Sequence, residues 1–329
     1  RGRIQLLRAV SEEKLPLTSA VSRYLYICLD CRLCRVNCPG GVRTDEIFAL
    51  ARQALAGSEL CPQPLLELSR RVGERHNISG EPEESRLSWS ANLPAEIHLP
   101  VGQKGAEVLF FVGCVGSLYP MVYGIPQALV GIMERAGISF TVLGGEEWCC
   151  GYPLLSVGLP IEELAAHNIA RVEALGVKKL VTTCPSCYYT WKEHYPQADF
   201  EIMHATQFLA GLISEGRLPL GPLSGRVTYH DPCDLGRQSG VYDAPRLILQ
   251  SIPGLDFVEM ADNRANALCC GGGGNLETLD PALSAAIAGQ RLKQALETEA
   301  EILASACQQC QRTLQMAARR ERAHLKVMD

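Results

Sequence analysis

Fourteen of the fifteen cysteines in this 329-residue chain fall into three sets with the spacing of metal ligands. The first is Cys28-x-x-Cys31-x-x-Cys34-x-x-x-Cys38-Pro39. Its spacing wraps a tight loop around three corners of a cubane [4Fe–4S] cluster, and Pro39 keeps the loop from running on as helix. A buried cysteine-rich helix has no reason to produce it. In two-cluster arrangements the fourth cysteine of such a run serves the other cluster. Cys38 then lacks companions, and Cys28, Cys31 and Cys34 lack a fourth ligand. Both gaps close if a second run lies upstream. The start at Arg1-Gly2-Arg3-Ile4, without Met, reads as that of a segment whose upstream part is absent. Cys61-Pro62 is a rival fourth ligand, although a buried free cysteine is the simpler use.

The other two sets hold five cysteines each: Cys114, Cys149, Cys150, Cys184 and Cys187, then Cys233, Cys269, Cys270, Cys307 and Cys310. Each reads Cys, then Cys-Cys-Gly, then Cys-x-x-Cys. Adjacent cysteines rarely bond to each other, because the geometry is strained. They can instead turn two thiolates on one metal centre. Gly151 and Gly271 lack a Cβ, which lets backbone approach a cluster closely. Gly272, inside Gly271-Gly272-Gly273-Gly274, would offer N–H groups to sulfide and so tune a reduction potential; a flexible turn is the other reading. No Gly-Lys-Ser/Thr follows, so this is not a phosphate loop. Four thiolates satisfy tetrahedral zinc. Five exceed that need and favour iron–sulfur, with zinc left open at one of the two sites.

The two quintets mark an internal repeat from Ala106 onward. Their offsets are 119 for Cys114 and Cys233, 120 for Cys149 and Cys269, and 123 for the Cys-x-x-Cys pairs. Strand-like runs precede each cysteine group: Val108–Val112, Phe140–Leu143 and Lys179–Val181 in one copy, Val227–Tyr229, Phe257–Met260 and Glu301–Leu303 in the other. Between them lie helical patterns, such as Ile161, Ala165, Ile169 and Val172, with a counterpart over Pro281–Leu296. The expected fold is α/β: two duplicated units, each a small parallel sheet with helices, after a mainly helical cluster-binding unit. Every cysteine group of the repeat then sits at the carboxyl end of a strand, where open parallel sheets bind ligands. The expected units are residues 1–78 (helical, with Ile4, Leu7 and Val10 on one face and Phe48, Ala51 and Leu55 on another), a Pro/Gly-rich connector 79–105, and the copies 106–222 and 223–329.

Composition narrows the options. Apolar residues make up 47% and charged residues 20%, enough for a sizeable core. With 31 basic against 36 acidic residues and no basic run, a nucleic-acid partner is not expected. Apolar runs fall far short of the ~18 residues of a membrane span, so membrane association would come through a partner. A secreted disulfide scaffold is normally short. The expected setting is a reducing, cytoplasmic one.

These residues resemble the iron–sulfur oxidoreductases with duplicated cysteine-rich CCG domains, which include heterodisulfide reductase catalytic subunits and the iron–sulfur subunits of glycolate or D-lactate oxidases. The carriers are Arg1-Gly2-Arg3-Ile4, Glu147-Trp148-Cys149-Cys150-Gly151-Tyr152-Pro153-Leu154, Cys184-Pro185-Ser186-Cys187-Tyr188, His230-Asp231-Pro232-Cys233-Asp234-Leu235-Gly236-Arg237 and the second Cys-Cys-Gly run. The resemblance covers nearly the whole chain. It implies a ferredoxin-type first unit, an upstream ferredoxin motif, and a noncubane [4Fe–4S] cluster at each complete quintet. The departure is the missing first motif.

Two functions follow. One is an electron-transfer subunit that serves an FAD-containing 2-hydroxyacid dehydrogenase, a ferredoxin-like subunit or a cytochrome subunit. The other is a catalytic disulfide reductase with one cluster on each side of the disulfide. Either way the chain is an oxidoreductase subunit. Among the remaining residues, His230 would donate a proton, orient a ligand, or simply bond at a strand end. His204 suits a helix start near a cluster, Arg237 would balance cluster charge, and Trp148 would shield a cluster from water. No Ser–His–Asp set and no dinucleotide glycine motif is present.

Overall fold

The computed structural model describes residues 2–329; Arg1, the first residue of the Arg-Gly-Arg stretch, lies outside the described residues. The chain opens with helices Gly2–Ser11, Ser19–Tyr26, Leu33–Val36, Thr44–Ala56 and Gln63–Arg75. Thr18 starts the second of these by accepting the Val21 N–H, a side-chain N-cap. Leu25, Tyr26, Phe48, Leu55 and Leu65 form the core of this helical unit.

Two four-stranded parallel sheets follow. The first contains β1 (Val108–Phe111), β2 (Phe140–Thr141), β3 (Lys179–Thr182) and β4 (Glu201–His204), in the order β2-β1-β3-β4. The second contains β5 (Gly225–His230), β6 (Leu255–Val258), β7 (Ile302–Ser305) and β8 (Lys326–Met328), in the order β6-β5-β7-β8. The registers match: Phe111 lies opposite Thr182, and His230 opposite Ser305. The α/β class and the duplication are therefore as expected. Each sheet has one strand more than the sequence pattern suggests. β4 and β8 are short edge strands that bury little, so they carry almost no apolar signal. Chain order reverses between β1 and β3, and again between β5 and β7. That reversal opens the ligand-binding crevice of open α/β sheets at the strands' carboxyl ends.

Residues 79–105, read from the sequence as a connector, contain a 3₁₀ helix, Glu83–Asn92. Its Trp89 is fully buried in the core under β1. Its Arg86 forms a buried ion pair with Glu147, at 3.0 Å, and Glu147 in turn accepts the N–H groups of Val112 and Gly113 at 2.9 Å each. One carboxylate thus ties the connector to the ends of β1 and β2.

A second buried cation joins the helical unit to the first sheet unit. Arg52 donates to the carbonyls of Ser156, Leu25 and Cys28. Beside it Gly158 has φ +100°, and a Cβ there would lie 2.5 Å from Arg52 backbone. Only glycine permits both.

Two stability measurements check these seams. Arg86→Met leaves Glu147 charged and unpaired in the interior, so it lowers unfolding free energy by about 3–5 kcal/mol, and adding Glu147→Gln recovers part of the loss. Gly158→Ala costs about 1–3 kcal/mol more than Gly137→Ala, which shares a positive φ but has open space around the site. Equal costs for the two glycine variants would show that the seam is not tight.

Candidate metal centres

Both quintets gather at the carboxyl ends of their sheets. Cys114 lies in helix Gly113–Leu118 just after β1, Cys149 and Cys150 follow β2, Cys184 caps helix Pro185–Glu193 after β3, and Cys187 lies in that helix's first turn. In the second copy the same places after β5, β6 and β7 are held by Cys233, by Cys269 and Cys270, and by Cys307 and Cys310, the last two at the start of helix Gln308–Arg320.

The sulfurs touch in series. In the first quintet thiol contacts run Cys114–Cys149–Cys150–Cys187–Cys184, and in the second Cys233–Cys269–Cys270–Cys310–Cys307. Nine of the ten residues are buried, with Cys233 partly so, and none forms a disulfide. The middle thiol of each series ionises most readily. Hydrogen bonds from Cys149 and Cys187 pull Cys150 down to about 6, and those from Cys269 and Cys310 pull Cys270 down to about 5. Their neighbours Cys187 and Cys310 are pushed well up, by those same contacts first and by burial after them. Further thiolates could persist in such a pocket only around cations. Soft, contiguous, buried sulfur is a donor set that fits iron–sulfur or zinc.

Backbone and side-chain donors face these sulfurs. Gly151 N–H points at Cys149 Sγ (3.5 Å), Gly272 N–H at Cys270 Sγ (3.4 Å) and Cys310 N–H at Cys307 Sγ (3.4 Å). Arg86 Nη2 reaches Cys114 Sγ at 3.4 Å. The missing Cβ atoms of Gly151 and Gly271 leave room for something other than a cluster. They would collide with Ile161 and with the Ser284 carbonyl, so these glycines let the starts of helices Glu162–Leu175 and Pro281–Leu296 pack close.

The glycine run has a second use that the sequence did not disclose. A Cβ on Gly273 would lie 2.6 Å from the Leu29 carbonyl oxygen, and one on Gly274 would lie 2.4 Å from that of Cys28. The four-cysteine run therefore packs directly onto the second quintet's loop, and Cys31 makes a thiol contact with Cys269. Arg237, expected to balance cluster charge, holds this junction through the carbonyls of Cys31 (2.5 Å), Ala265 and Ala267. The other members of the run have different neighbours. Cys28 lies near Arg52, Cys34 contacts Thr44 Oγ1 at 2.9 Å, and Cys38 Sγ accepts the Val42 N–H. Cys61 is buried in the helical core against Tyr26.

The two copies meet so that the cysteines of both quintets, Cys269 excepted, line one cavity of about 420 Å³. Asp234, the residue after Cys233, crosses the seam to Ser186 Oγ (2.5 Å) and Tyr152 OH (3.2 Å). Gln308, the residue after Cys307, donates to Val112 O and Thr183 Oγ1. Tyr119, Arg71 and Arg312 also line the cavity, with Arg312 paired to Glu277 and lying over the Tyr119 ring. Trp148 stacks between His76 (3.4 Å) and His167 (3.6 Å) and packs against the core that holds the first quintet. His204 ends β4 and caps helix Ala205–Ser214, as a helix start should. Sequence reasoning missed Arg86, which a nonperiodic connector hides, and the Cys31–Cys269 contact, which spans 238 positions and has no local signal.

Comparison with known proteins agrees with this geometry. Residues 108–192 and 227–315 match the family described as CCG, cysteine-rich domain. The chain is 35% identical to a component of the dihydromethanophenazine:CoB–CoM heterodisulfide reductase from Methanosarcina barkeri, over 87% of this chain and 71% of that protein. It is 33% identical to the probable iron-sulfur-binding oxidoreductase FadF of Bacillus subtilis, over 87% of this chain and 42% of that protein. It is 31% identical to the EtfAB:quinone oxidoreductase of Syntrophomonas wolfei, over 81% of this chain and 39% of that protein. A hypothetical protein from Helicobacter pylori shares the fold, with a TM-score of 0.55 and 10% identity over 87% of this chain and 56% of that one. The chain belongs to the CCG cysteine-rich domain family and is an iron–sulfur oxidoreductase subunit.

Proposed function

We propose that this chain is the catalytic iron–sulfur subunit of a disulfide-reducing complex. The observation that carries the reading is the single cavity onto which both quintets open. A disulfide seated there meets a sulfur-lined wall on either side, and each half takes one electron and one proton: RSSR′ + 2e⁻ + 2H⁺ gives RSH + R′SH. Iron–sulfur centres in the quintets would supply one-electron transfer, which suits homolytic cleavage. Likeness to a component of a heterodisulfide reductase supports the same reading.

In this proposal Cys28, Cys31, Cys34 and Cys38 hold cubane [4Fe–4S] chemistry, the ten repeat cysteines hold two noncubane clusters, and the amides of Gly151 and Gly272 donate to their sulfurs. The functional units are residues 1–78, 106–222 and 223–329. Arg86 and Glu147 fix Cys114 at the end of β1. Asp234 and Gln308 hold the two walls at a set spacing. Electrons would arrive at the second quintet, a route that the Cys31–Cys269 contact supports. Among the described residues no helix is long and apolar enough to cross a membrane. We place the complex in the cytoplasm, with any membrane contact made by a partner.

The likeness to proteins named EtfAB:quinone oxidoreductase and FadF favours a second reading, in which the chain relays electrons from a flavoprotein, such as an FAD-containing 2-hydroxyacid dehydrogenase, and binds no organic substrate itself.

Anaerobically purified protein should contain iron with acid-labile sulfide; zinc without sulfide removes both readings. Dithionite-reduced protein mixed with small aliphatic disulfides, such as cystamine or dithiodiglycolate, should reoxidise at a catalytic rate without a partner. Reoxidation only on addition of an oxidised flavoprotein selects the relay. Cys187→Ser and Cys310→Ser should each slow disulfide turnover at least 100-fold, because either substitution removes one wall's electron source.

A further inference from the structure

The two quintets are built alike in their cysteines but not in what lies behind them. Each sheet's first strand ends three residues before the first cysteine of its set. β1 ends there in Phe111 and β5 in His230. The two residues occupy the same register, opposite Thr182 and Ser305. The rings of Phe111 and Trp191 meet edge to face, 5.5 Å apart, and the Phe111 side chain has no polar atom to offer.

His230 is 1% exposed, and one of its ring nitrogens lies with Cys270 Sγ and Cys310 Sγ in a group whose members are all within 4.8 Å of one another. Its Nδ1 accepts from Arg291 Nε at 3.0 Å. Arg291 is itself fully buried and held by the Asp262 carbonyl and Gln294 Oε1. A guanidinium only donates, so Nδ1 carries no hydrogen. The imidazole is therefore neutral, with its hydrogen on Nε2. That atom is buried and has no partner within the protein. An N–H that cannot reach water, on a ring with a nitrogen within 4.8 Å of two sulfurs, has one use open to it, and the cation behind the ring polarises it toward that use.

We propose that His230 Nε2–H is a hydrogen-bond donor to the sulfur of the second quintet, and that it sets the reduction potential of that centre alone. The proposal rests on the iron–sulfur reading above. Negative charge on ligand sulfur rises on reduction, so a donor there stabilises the reduced form and raises the potential. In the first copy the donor is of another kind and acts on another cysteine: Arg86 on Cys114. One fold thus carries two centres whose potentials are adjusted by unrelated side chains. His230 acts through Cys270 and Cys310 and needs no contact with a substrate.

The test is a potentiometric titration of the anaerobic protein, followed by electron paramagnetic resonance. The second centre is assigned by its loss in Cys310→Ser. His230→Phe copies the first sheet and should shift the second centre's one-electron equilibrium about tenfold toward the oxidised form, which is about 59 mV downward, with the first centre unmoved. His230→Gln keeps an N–H and should fall between the two. A deuterium coupling from the exchangeable Nε2 proton should appear in the wild type and vanish in His230→Phe. An unmoved potential, or equal shifts at both centres, overturns the proposal. Loss of the second cluster from both variants also overturns it, by making His230 a ligand rather than a donor. Iron and sulfide content separates these outcomes: a wild type without clusters defeats the functional reading itself, whereas full clusters with unchanged potentials defeat only the role of His230.

Discussion

Ten thiols packed into two buried series cannot all give up their protons to an apolar interior. Each ionisation in such a place makes the next one harder, and that is visible in the chain: Cys150 and Cys270 are drawn down, and Cys187 and Cys310, bonded to them, are pushed up. All ten can be thiolates together only if positive charge sits among the sulfurs. Much of the surrounding structure supplies that charge or the N–H dipoles that supplement it: Arg86 at Cys114, the amides of Gly151 and Gly272, and Arg52 near Cys28.

The duplicated sheets solve the problem of delivery. Loops after three strands of one parallel sheet end at the same level, so residues far apart in sequence converge without any long excursion of chain. Duplication then places two such convergences mouth to mouth. The polar seam residues, Asp234 and Gln308, sit directly after Cys233 and Cys307, so the same turns that aim sulfur also hold the copies together. A change at either residue acts on both walls of the cavity at once.

The copies have diverged where they meet the rest of the chain. The first received a buried arginine from a connecting segment; the second received a glycine loop flat enough for Cys28 and Leu29 to lie against it. Duplicated cysteines with unlike surroundings are an economical route to two centres with different electronic properties.

The ligand candidates were legible in the sequence because cysteine is scarce, its spacing is set by loop geometry, and a repeat doubles the signal. The α/β class was legible because buried parallel strands leave apolar runs between helical periods. The edge strands β4 and β8 were not, since short half-exposed strands have no such pattern. Nor was the use of Gly273 and Gly274: glycine reports that space is needed, and only the fold says that the backbone of Cys28 and Leu29 fills it. Arg86 was missed, and Arg237 and His230 were seen as types without partners, because a hydrogen bond to a group tens or hundreds of positions away leaves no local trace. Which cysteines form candidate ligand sets was thus written into the chain's order of residues; which sulfurs face each other across one cavity was decided by how two sheets and a helical unit pack.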